Sequence, residues 1–489
     1  MGDLALMRFM SAKRERRRQR CHRQIRRDRE SVASVAPRKG LQCQHDDSSK
    51  GGKESELHLP EDILRHIHAL MPLRDATRTA SVSHTFQQSW RCRPNLTFTK
   101  ETLGLDTNAV TQDDITKDFI NIINHILQNH DGIGVKSLEL DLFPCSNIDS
   151  YYLDGWLHVA VTPGIEELTL IFPSETDRRP QYNRTGYKRR AGYNRKSEYN
   201  FPCSLLFDRG GDSVRYLLLT DCALRPTVGL GCLRSLTQLH LSFARITGDE
   251  LELFLSQSFA LELLKLSYCH EIIRLKIPLL LQRLSILKSA NMISYARTKL
   301  PSLIPNVEAL AIYSCREIDN TPMVADKFLH LKHLHVCFVG LAVSPTYDYF
   351  SLVSFLDASP SLKTFFLSVT QHHTEHDSIF GESVHMRRLP EYRHESLKSV
   401  KISAFCSAKS MVELACHILE NSSSLECLTL DATNGSARCS TNKSGKCFAM
   451  GKDVIMAAHK ALLAIRIFIE GKVPPSVKCC GALQPVPCS

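Results

Sequence analysis

The side chains that could do chemistry in this 489-residue chain are first of all its histidines and cysteines. Three histidines lie close together in the segment QHHTEH, at His372, His373 and His376. A zinc site needs a matched ligand set, and this polar loop has none beside it. The cysteines from Cys439 to Cys488 also lack paired C-x-x-C spacing. We therefore predict no bound metal and no cofactor.

The motifs of common catalytic and phosphate-binding sites are missing from the sequence. It contains no G-x-S-x-G, no H-E-x-x-H and no P-loop, and SGKC at 444–447 lacks the leading glycine of a phosphate loop. The carboxylates are scattered along presumed surfaces, so no pair stands out as general acid and base. We predict that the chain is not an enzyme and has no catalytic residues.

The opening segment and the 18 cysteines bear on whether the protein is secreted or stays inside the cell. The segment MGDLALMRFMSAKRERRR has its short apolar piece before its charges, the reverse of a secretory signal. No apolar run approaches the roughly 18 residues that a membrane helix needs. We therefore expect a protein of the nucleus and/or cytoplasm, with reduced thiols and no membrane partner.

The net charge of +10 is concentrated in two segments. Residues 1–53 hold fifteen Lys and Arg against six Asp and Glu, residues 174–200 hold eight against three, and the remainder is slightly acidic at −4. Like charge with few apolar residues predicts disorder for the tail. We interpret its basic cluster as a nuclear-import signal, with a nucleic-acid patch or a plain solvated run as the alternatives. The arginines of this predicted signal are Arg14, Arg16, Arg17, Arg18, Arg20, Arg26 and Arg27.

The second basic segment, residues 174–200, interleaves four tyrosines with Arg and Lys. Such a composition could stack bases and track phosphates. It also describes a solvated loop inserted into a scaffold, which is the interpretation we favour. The tyrosines are Tyr182, Tyr187, Tyr193 and Tyr199.

One phrase, apolar-x-x-apolar-x-apolar, recurs eleven times from Val135 onward. Most intervals lie near the leucine-rich-repeat period, and the one interval of 49 residues becomes 22 when the 27-residue insertion is removed. Each copy predicts a short strand with alternate side chains on one face, and no copy can bury that face alone. We predict an α/β solenoid, a curved parallel sheet with helices and loops on its convex face. The copies are VKSLEL (135), IEELTL (165), VRYLLL (214), LTQLHL (236), LELLKL (261), LQRLSI (281), VEALAI (307), LKHLHV (331), LKTFFL (362), LKSVKI (397) and LECLTL (425).

Two details of the repeats predict local structure. Cys222, Cys269 and Cys315 end the pattern L-x-L-x-x-C, where a small buried side chain with a weak donor fits the tight turn after a strand. Thr247 or Asp249 can cap a short helix on the return path. We predict structural roles for all of them.

The stretch between the basic tail and the repeats contains three short amphipathic segments. Pro60 suits the first turn of a helix, and Met71-Pro72 ends that helix. About forty residues are too few for a self-sufficient core, so we predict that another protein covers the apolar stripe. The alternative is a helical cap over the first repeat. The stripe consists of Leu59, Ile63, Ile67 and Leu70.

This stretch resembles an F-box motif, in Leu59-Pro60, Ile63, Ile67, Leu70-Met71-Pro72, Arg74-Asp75, Ala80, Val82 and Trp90. The layout from about Leu57 to Lys478 is similar to plant (grass-type) F-box/leucine-rich-repeat proteins, in phrases such as YNFPCSLLFD and ALLAIRIFIEGKVPPSVK. The resemblance implies that the three helices dock onto a Skp-type adaptor of a cullin–RING (SCF) ubiquitin ligase. The adaptor-binding residues that it implies are Leu59, Pro60, Ile63, Leu64, Ile67, Leu70, Pro72, Val82, Phe86 and Trp90.

By the same resemblance, the repeats present a protein target for ubiquitination, and the chemistry takes place on partner subunits. Side chains between the buried strand positions face the concave side, where aromatic residues make the best anchors. The alternative function is a nuclear nucleic-acid-binding or protein-interaction scaffold that uses the tail and the insertion. The predicted target-binding residues are His240, Lys265, Tyr313, His335, Phe366 and Lys401.

These patterns divide the chain into five predicted segments. They are a disordered basic tail (1–55), an F-box (56–96), a helical linker or N-terminal cap (97–134), leucine-rich repeats with the insertion at 174–200 (135–434), and a C-terminal loop with a capping helix (435–489).

Overall fold

The structure is a computed structural model of the chain. It describes residues 60–71, 73–82, 91, 93–105, 111–130, 134–143, 145, 148–173, 199–206, 212–226, 233–275, 277, 281–288, 292–314, 317, 326–339, 347–369, 376–381, 385–387, 392–432 and 452–481. The predicted disordered tail and import arginines, most of the 174–200 insertion, Cys315 and the 372–373 histidine pair lie outside these residues.

The described chain alternates helices and short strands. The strands are β1 (Asn95–Phe98), β2 (Ser137–Asp141), β3 (Glu167–Ile171), β4 (Asn200–Phe201), β5 (Tyr216–Thr220), β6 (Ala223–Leu224), β7 (Gln238–Ser242), β8 (Leu263–Ser267), β9 (Arg283–Lys288), β10 (Ala309–Ser314), β11 (His333–Phe338), β12 (Thr364–Val369), β13 (Ser399–Ser403), β14 (Cys427–Asp431) and β15 (Lys478–Gly481). The α-helices are α1 (Glu61–Leu70), α2 (Leu73–Val82), α3 (Lys100–Leu103), α4 (Gln112–Asn129), α5 (Ser150–Ala160), α6 (Cys203–Leu205), α7 (Gly248–Leu255), α8 (Met292–Thr298), α9 (Leu300–Leu303), α10 (Val353–Asp357), α11 (Lys409–Asn421) and α12 (Lys452–Ala464). Single turns of 3-10 helix at Tyr349–Leu352 and Glu470–Lys472 and a π-helical turn at Ile465–Ile469 complete the set.

The chain divides into two compact units, Met1–Leu168 and Thr169–Ser489. In the first unit, β1 pairs in parallel with β2, so that Leu96 lies beside Leu138 in the buried layer. The sequence phrases did not predict β1, which precedes the first copy by about one repeat.

Helix α4 shows how the sequence builds the first unit. The Thr111 hydroxyl accepts a hydrogen bond from the Asp114 N–H at its start, which satisfies one of the free N–H groups there. Its apolar residues recur every three or four positions, and Phe119 packs edge to face on Trp156, with ring centroids 6.2 Å apart. The predicted amphipathic segment is therefore a helix with one buried face.

The second unit is a stack of parallel strands in sequence order. From β5 the order is β5, β7, β8, β9, β10, β11, β12, β13, β14 and β15, each strand parallel to the next. All eleven copies of the repeated phrase form strands, namely β2, β3, β5 and β7 to β14. The predicted leucine-rich-repeat fold is confirmed.

Buried leucines hold neighbouring repeats together. Leu239, Leu264 and Leu284 stand side by side on β7, β8 and β9, and all three are buried. Burial of each such side chain contributes roughly 1.5–3 kcal/mol. The alternate positions along each strand form the other face of the sheet, called the open face below.

The turn after several strands adopts a left-handed conformation. Phe243 has a φ of 52° and Tyr268 a φ of 54°, which is unusual for residues other than glycine. The backbone N–H of Phe243 donates to the Ser267 carbonyl oxygen (2.7 Å), and that of Tyr268 donates to the Leu287 carbonyl oxygen (2.9 Å). These bonds to the next strand and the stacking of the two rings, with centroids 4.7 Å apart, offset the strain.

The predicted cysteine positions behave as structural residues where they are described. Cys222 and Cys269 are buried, and the Cys269 Sγ lies 3.6 Å from the Leu241 carbonyl oxygen. Thr247 caps α7 in a capping box with Glu250, which settles the choice between Thr247 and Asp249.

Two expectations need correction. Tyr199, predicted to lie in a solvated insertion, is buried and stacks on Phe172 with ring centroids 5.3 Å apart. It leads directly into β4, so its ring completes the core of a repeat. The C-terminal segment contains more than a capping helix, because β15 follows α12 and pairs in parallel with β14.

In the described part of the chain, every helix is too short or too polar to cross a lipid bilayer.

Candidate functional site

Helix α1 carries apolar side chains that the described residues leave exposed. Leu70 is 73% exposed, Ile63 43% and Ile67 39%. Leu64 is half-buried, and Pro60 is exposed immediately before the helix. Because positions i, i+4 and i+7 share one face of a helix, these side chains form a single stripe.

The opposite face of α1 is closed by its own unit. His68 is buried, and its ring Nε2 lies 3.0 Å from the Ala76 carbonyl oxygen in α2. Burial lowers the pKa of His68, and the nearby Arg93 lowers it further. Leu73 and Ala76 are also buried. The helix therefore has one face in its unit and one toward solvent.

Arg93 fixes the end of α1, and no sequence pattern pointed to this residue. Its guanidinium donates to the carbonyl oxygens of His68 (2.9 Å), Met71 and Asn95 (3.0 Å). The Arg93 carbonyl oxygen lies 2.8 Å from the His130 ring Nε2. The buried cation of Arg93 thus joins the C-terminus of α1 to β1, and its backbone carbonyl joins this point to the end of α4.

The remaining predicted adaptor-binding residues are only partly described. Helix α1 ends at Leu70 and Met71 is extended, as predicted for a residue before proline. Val82 ends α2, and its side chain is outside the described residues. Leu59, Pro72, Phe86 and Trp90 lie outside them altogether.

The open face of the repeat sheet brings four of the six predicted target-binding residues together. His335 and Phe366 are register partners on β11 and β12, and their rings stack with centroids 4.3 Å apart. Tyr313 meets the His335 ring edge to face at 5.3 Å. The Lys401 Nζ lies 5.2 Å from the Phe366 ring centroid, close enough for a cation–π interaction. These four residues are called the aromatic strip below.

The other two predicted residues form a separate pair. His240 and Lys265 are register partners on β7 and β8, and Ser285 and Ala311 occupy the same row between this pair and His335. Tyr216, which the sequence reasoning did not single out, places its hydroxyl oxygen 3.2 Å from the His240 Nδ1. Tyr216 occupies an outward position of VRYLLL, so strand alternation would have identified it.

Two histidines of the open face, His240 and His335, are neutral at physiological pH. Burial, together with the charge of Lys265, lowers the pKa of His240 to about 4. Burial also lowers the pKa of His335. The aromatic strip is therefore an uncharged ring stack with one cation at its end, suited to binding rather than to proton transfer.

Comparison with known protein families gives a match over most of the repeat region. A family model described as At1g61320/AtMIF1, LRR domain, matches residues 126–291 and 287–489. The chain belongs to this leucine-rich-repeat family. A second family model, described as F-box domain, matches residues 57–97, which include α1, α2 and Arg93. No curated protein matches the chain.

The two matches make this an F-box/leucine-rich-repeat protein of a plant-type family. F-box domains generally bind Skp-type adaptors, and proteins that carry them are generally noncatalytic. The domain boundaries within the chain and the residues that contact partners remain predictions.

Proposed function

We propose that this F-box/leucine-rich-repeat protein is a noncatalytic substrate receptor of an SCF-type ubiquitin ligase. The observation that carries the proposal is the exposed stripe of Ile63, Ile67 and Leu70 within the F-box region. A stripe that its own unit leaves open suits an apolar groove on a partner, which is a common mode of helix recognition. The partner that fits is a Skp-type adaptor.

A pull-down with a Skp-type adaptor tests this role. Replacement of Ile63 and Ile67 by Asp places two charges in the proposed interface and should reduce adaptor capture by at least about tenfold. Ile273→Asp is the matched control, because Ile273 is 81% exposed and lies in the repeats. The control should capture the adaptor normally. Equal capture by all three proteins would refute the docking proposal.

The same proposal assigns target recognition to the aromatic strip. Stacked rings bury a large area with little loss of side-chain freedom, so Phe366 and His335 are suited to anchor a protein segment. Lys401 adds a positive charge beside them, which favours a segment with a carboxylate next to its apolar residues. Ubiquitin transfer would then follow from proximity, on the partner subunits.

Quantitative comparison of co-isolated proteins tests the strip. Phe366→Ala should reduce the recovery of target proteins while adaptor recovery stays normal, because the two surfaces use different residues. Phe259→Ala serves as the control, since Phe259 is also exposed, at 62%, but lies away from the open face. If both variants recover the same proteins as the unmutated chain, the target site lies elsewhere.

A further inference from the structure

A cluster of three ligand-type side chains lies among the helices of the second unit. Asp357 ends α10, His394 precedes β13, and His417 lies in α11. One ligand atom from each residue can be chosen so that all three lie within 4.8 Å of one another. His394 and His417 are each only 6% exposed, so two imidazole rings converge inside the protein.

Each of the three residues has one buried polar atom without a hydrogen bond within the part of the chain that the structure describes. The Nε2 atoms of His394 and His417 and the Oδ1 atom of Asp357 are buried without such a partner. The His394 Nε2 and the Asp357 Oδ1 are 3.6 Å apart, which is too long for a hydrogen bond. Each unpaired buried polar group costs free energy, so three in neighbouring residues call for a common explanation.

A metal ion supplies that explanation. Two imidazole nitrogens and one carboxylate oxygen are a ligand set that zinc accepts, with a fourth position left for water. Bonds near 2.1 Å place tetrahedral ligands about 3.4 Å apart, close to the observed separation of His394 and Asp357. Side-chain movements that together amount to at most about 1.4 Å bring the widest pair to this separation.

The surroundings can orient the rings. The Asn421 side-chain NH2 group donates to the His417 backbone carbonyl oxygen (2.9 Å) and lies 3.3 Å from the His417 Nδ1, which restrains the orientation of this ring. Phe350 and Tyr392 border the two imidazoles, with ring centroids 5.8 Å and 5.6 Å away. An apolar border of this kind strengthens metal–ligand electrostatics.

We propose that Asp357, His394 and His417 form a zinc site that clamps three consecutive repeats. Its three ligands precede β12, β13 and β14 in turn, so one ion links neighbouring turns of the solenoid. The role is structural. The signal was invisible in the sequence, because the ligands are separated by 37 and 23 residues and match no zinc-finger spacing.

Metal content and thermal stability of the full chain test the site. The unmutated chain and the variants Asp357→Asn, His394→Gln and His417→Gln are stripped with a chelator and equilibrated with zinc. Loss of one protein ligand should weaken zinc binding at this site by at least about tenfold. His459→Gln is the matched control, because His459 is exposed on α12. Asp357→Asn is the variant least prone to misfolding, since this side chain is 38% exposed.

The expected result is one more zinc ion per chain in the unmutated and His459→Gln proteins than in the three ligand variants. Zinc should raise the melting temperature of the first two proteins only. Substituted cobalt should absorb in the visible region without a thiolate charge-transfer band, which separates this site from adventitious cysteine sites. Equal zinc content and equal melting shifts in Asp357→Asn and His459→Gln would overturn the proposal.

Discussion

At the residue scale, Arg93 holds the end of α1 in place within the F-box region. Its guanidinium donates hydrogen bonds to three carbonyl oxygens at α1 and β1, and the residue is only 7% exposed. Burial lowers the pKa of Arg93, which reflects the cost of holding a cation away from water. Hydrogen bonds to charged groups are stronger than neutral ones, and here they offset that cost.

Arg93→Met should therefore destabilise the first unit. Three carbonyl oxygens lose their donor, and we expect a loss of about 3 kcal/mol in the free energy of unfolding. Hydrogen–deuterium exchange should accelerate in residues 61–71 first, because Arg93 bonds to His68 and Met71. Arg91→Met, at an exposed position, is the control. Similar exchange in both variants would show that Arg93 does not anchor α1.

His240 makes a prediction about pH. Its pKa is about 4 in the folded chain and about 6.5 when unfolded. Between these values the unfolded chain takes up a proton that the folded chain does not, so stability falls as the pH drops from 6.5 to 4. Above pH 6.5 the ring has no effect. After allowance for partial solvent exposure, the loss is up to about 2 kcal/mol.

Denaturant titrations at several pH values measure this loss. His240→Phe keeps a ring beside Tyr216 and Lys265 but cannot titrate, so its stability should depend less on pH in that window. His459→Gln, at an exposed position, should show the same dependence of stability on pH as the unmutated chain. If the stability of His240→Phe depends on pH as steeply as that of the unmutated chain, the His240 imidazole does not resist protonation.

At the element scale, the strands in the middle of the sheet were predictable from the sequence, and its first and last strands were not. Strand alternation in the repeated phrase identified all eleven copies, because a buried leucine row demands apolar residues at fixed positions. The short strands β1 and β15 lack that phrase, and their pairing depends on the neighbouring repeat. Tyr199 was misplaced because its basic neighbours resemble a solvated loop, whereas in the structure its ring is buried and stacks on Phe172.

The same division applies to the candidate sites. Periodicity identified the exposed stripe of α1 and the outward rows of the sheet, because both follow from local geometry. Arg93 and the Asp357–His394–His417 cluster depend on residues brought together from distant segments. The spacing of these residues along the chain does not predict such contacts.

Helix α7 offers a prediction on helix packing. Gly248 begins this helix, and a Cβ built on it would overlap the Arg274 carbonyl oxygen. Because that neighbour is backbone, Gly248→Ala should force the chain apart and cost about 1–3 kcal/mol. Gly155 lies within α5 with nothing near its missing Cβ, so Gly155→Ala should stabilise by about 0.5–1 kcal/mol. Thermal unfolding of both variants checks the opposite signs, and a neutral Gly248→Ala would contradict the close approach.

At the scale of the whole molecule, most of the net charge lies in the N-terminal tail. Residues 1–53 carry a net charge of +9, so the remaining chain has a formal charge of only +1, with the +5 of residues 174–200 offset by −4 elsewhere. Long-range attraction to nucleic acid or to an import receptor would therefore depend mainly on the tail. The proposed adaptor docking would depend on apolar contacts in the F-box, which salt and tail charge affect little.

A tail variant tests this separation of roles. Replacing the seven arginines of the predicted import signal with Gln lowers the net charge from +10 to +3. We expect a fluorescent fusion of this variant to lose nuclear accumulation, while adaptor capture stays equal to that of the unmutated chain. Nucleic-acid retention by the unmutated chain that weakens steeply with salt, and disappears in the variant, would instead favour the scaffold function. A fall in adaptor capture would contradict the assignment of docking to the F-box alone, because the tail would then take part in the interface.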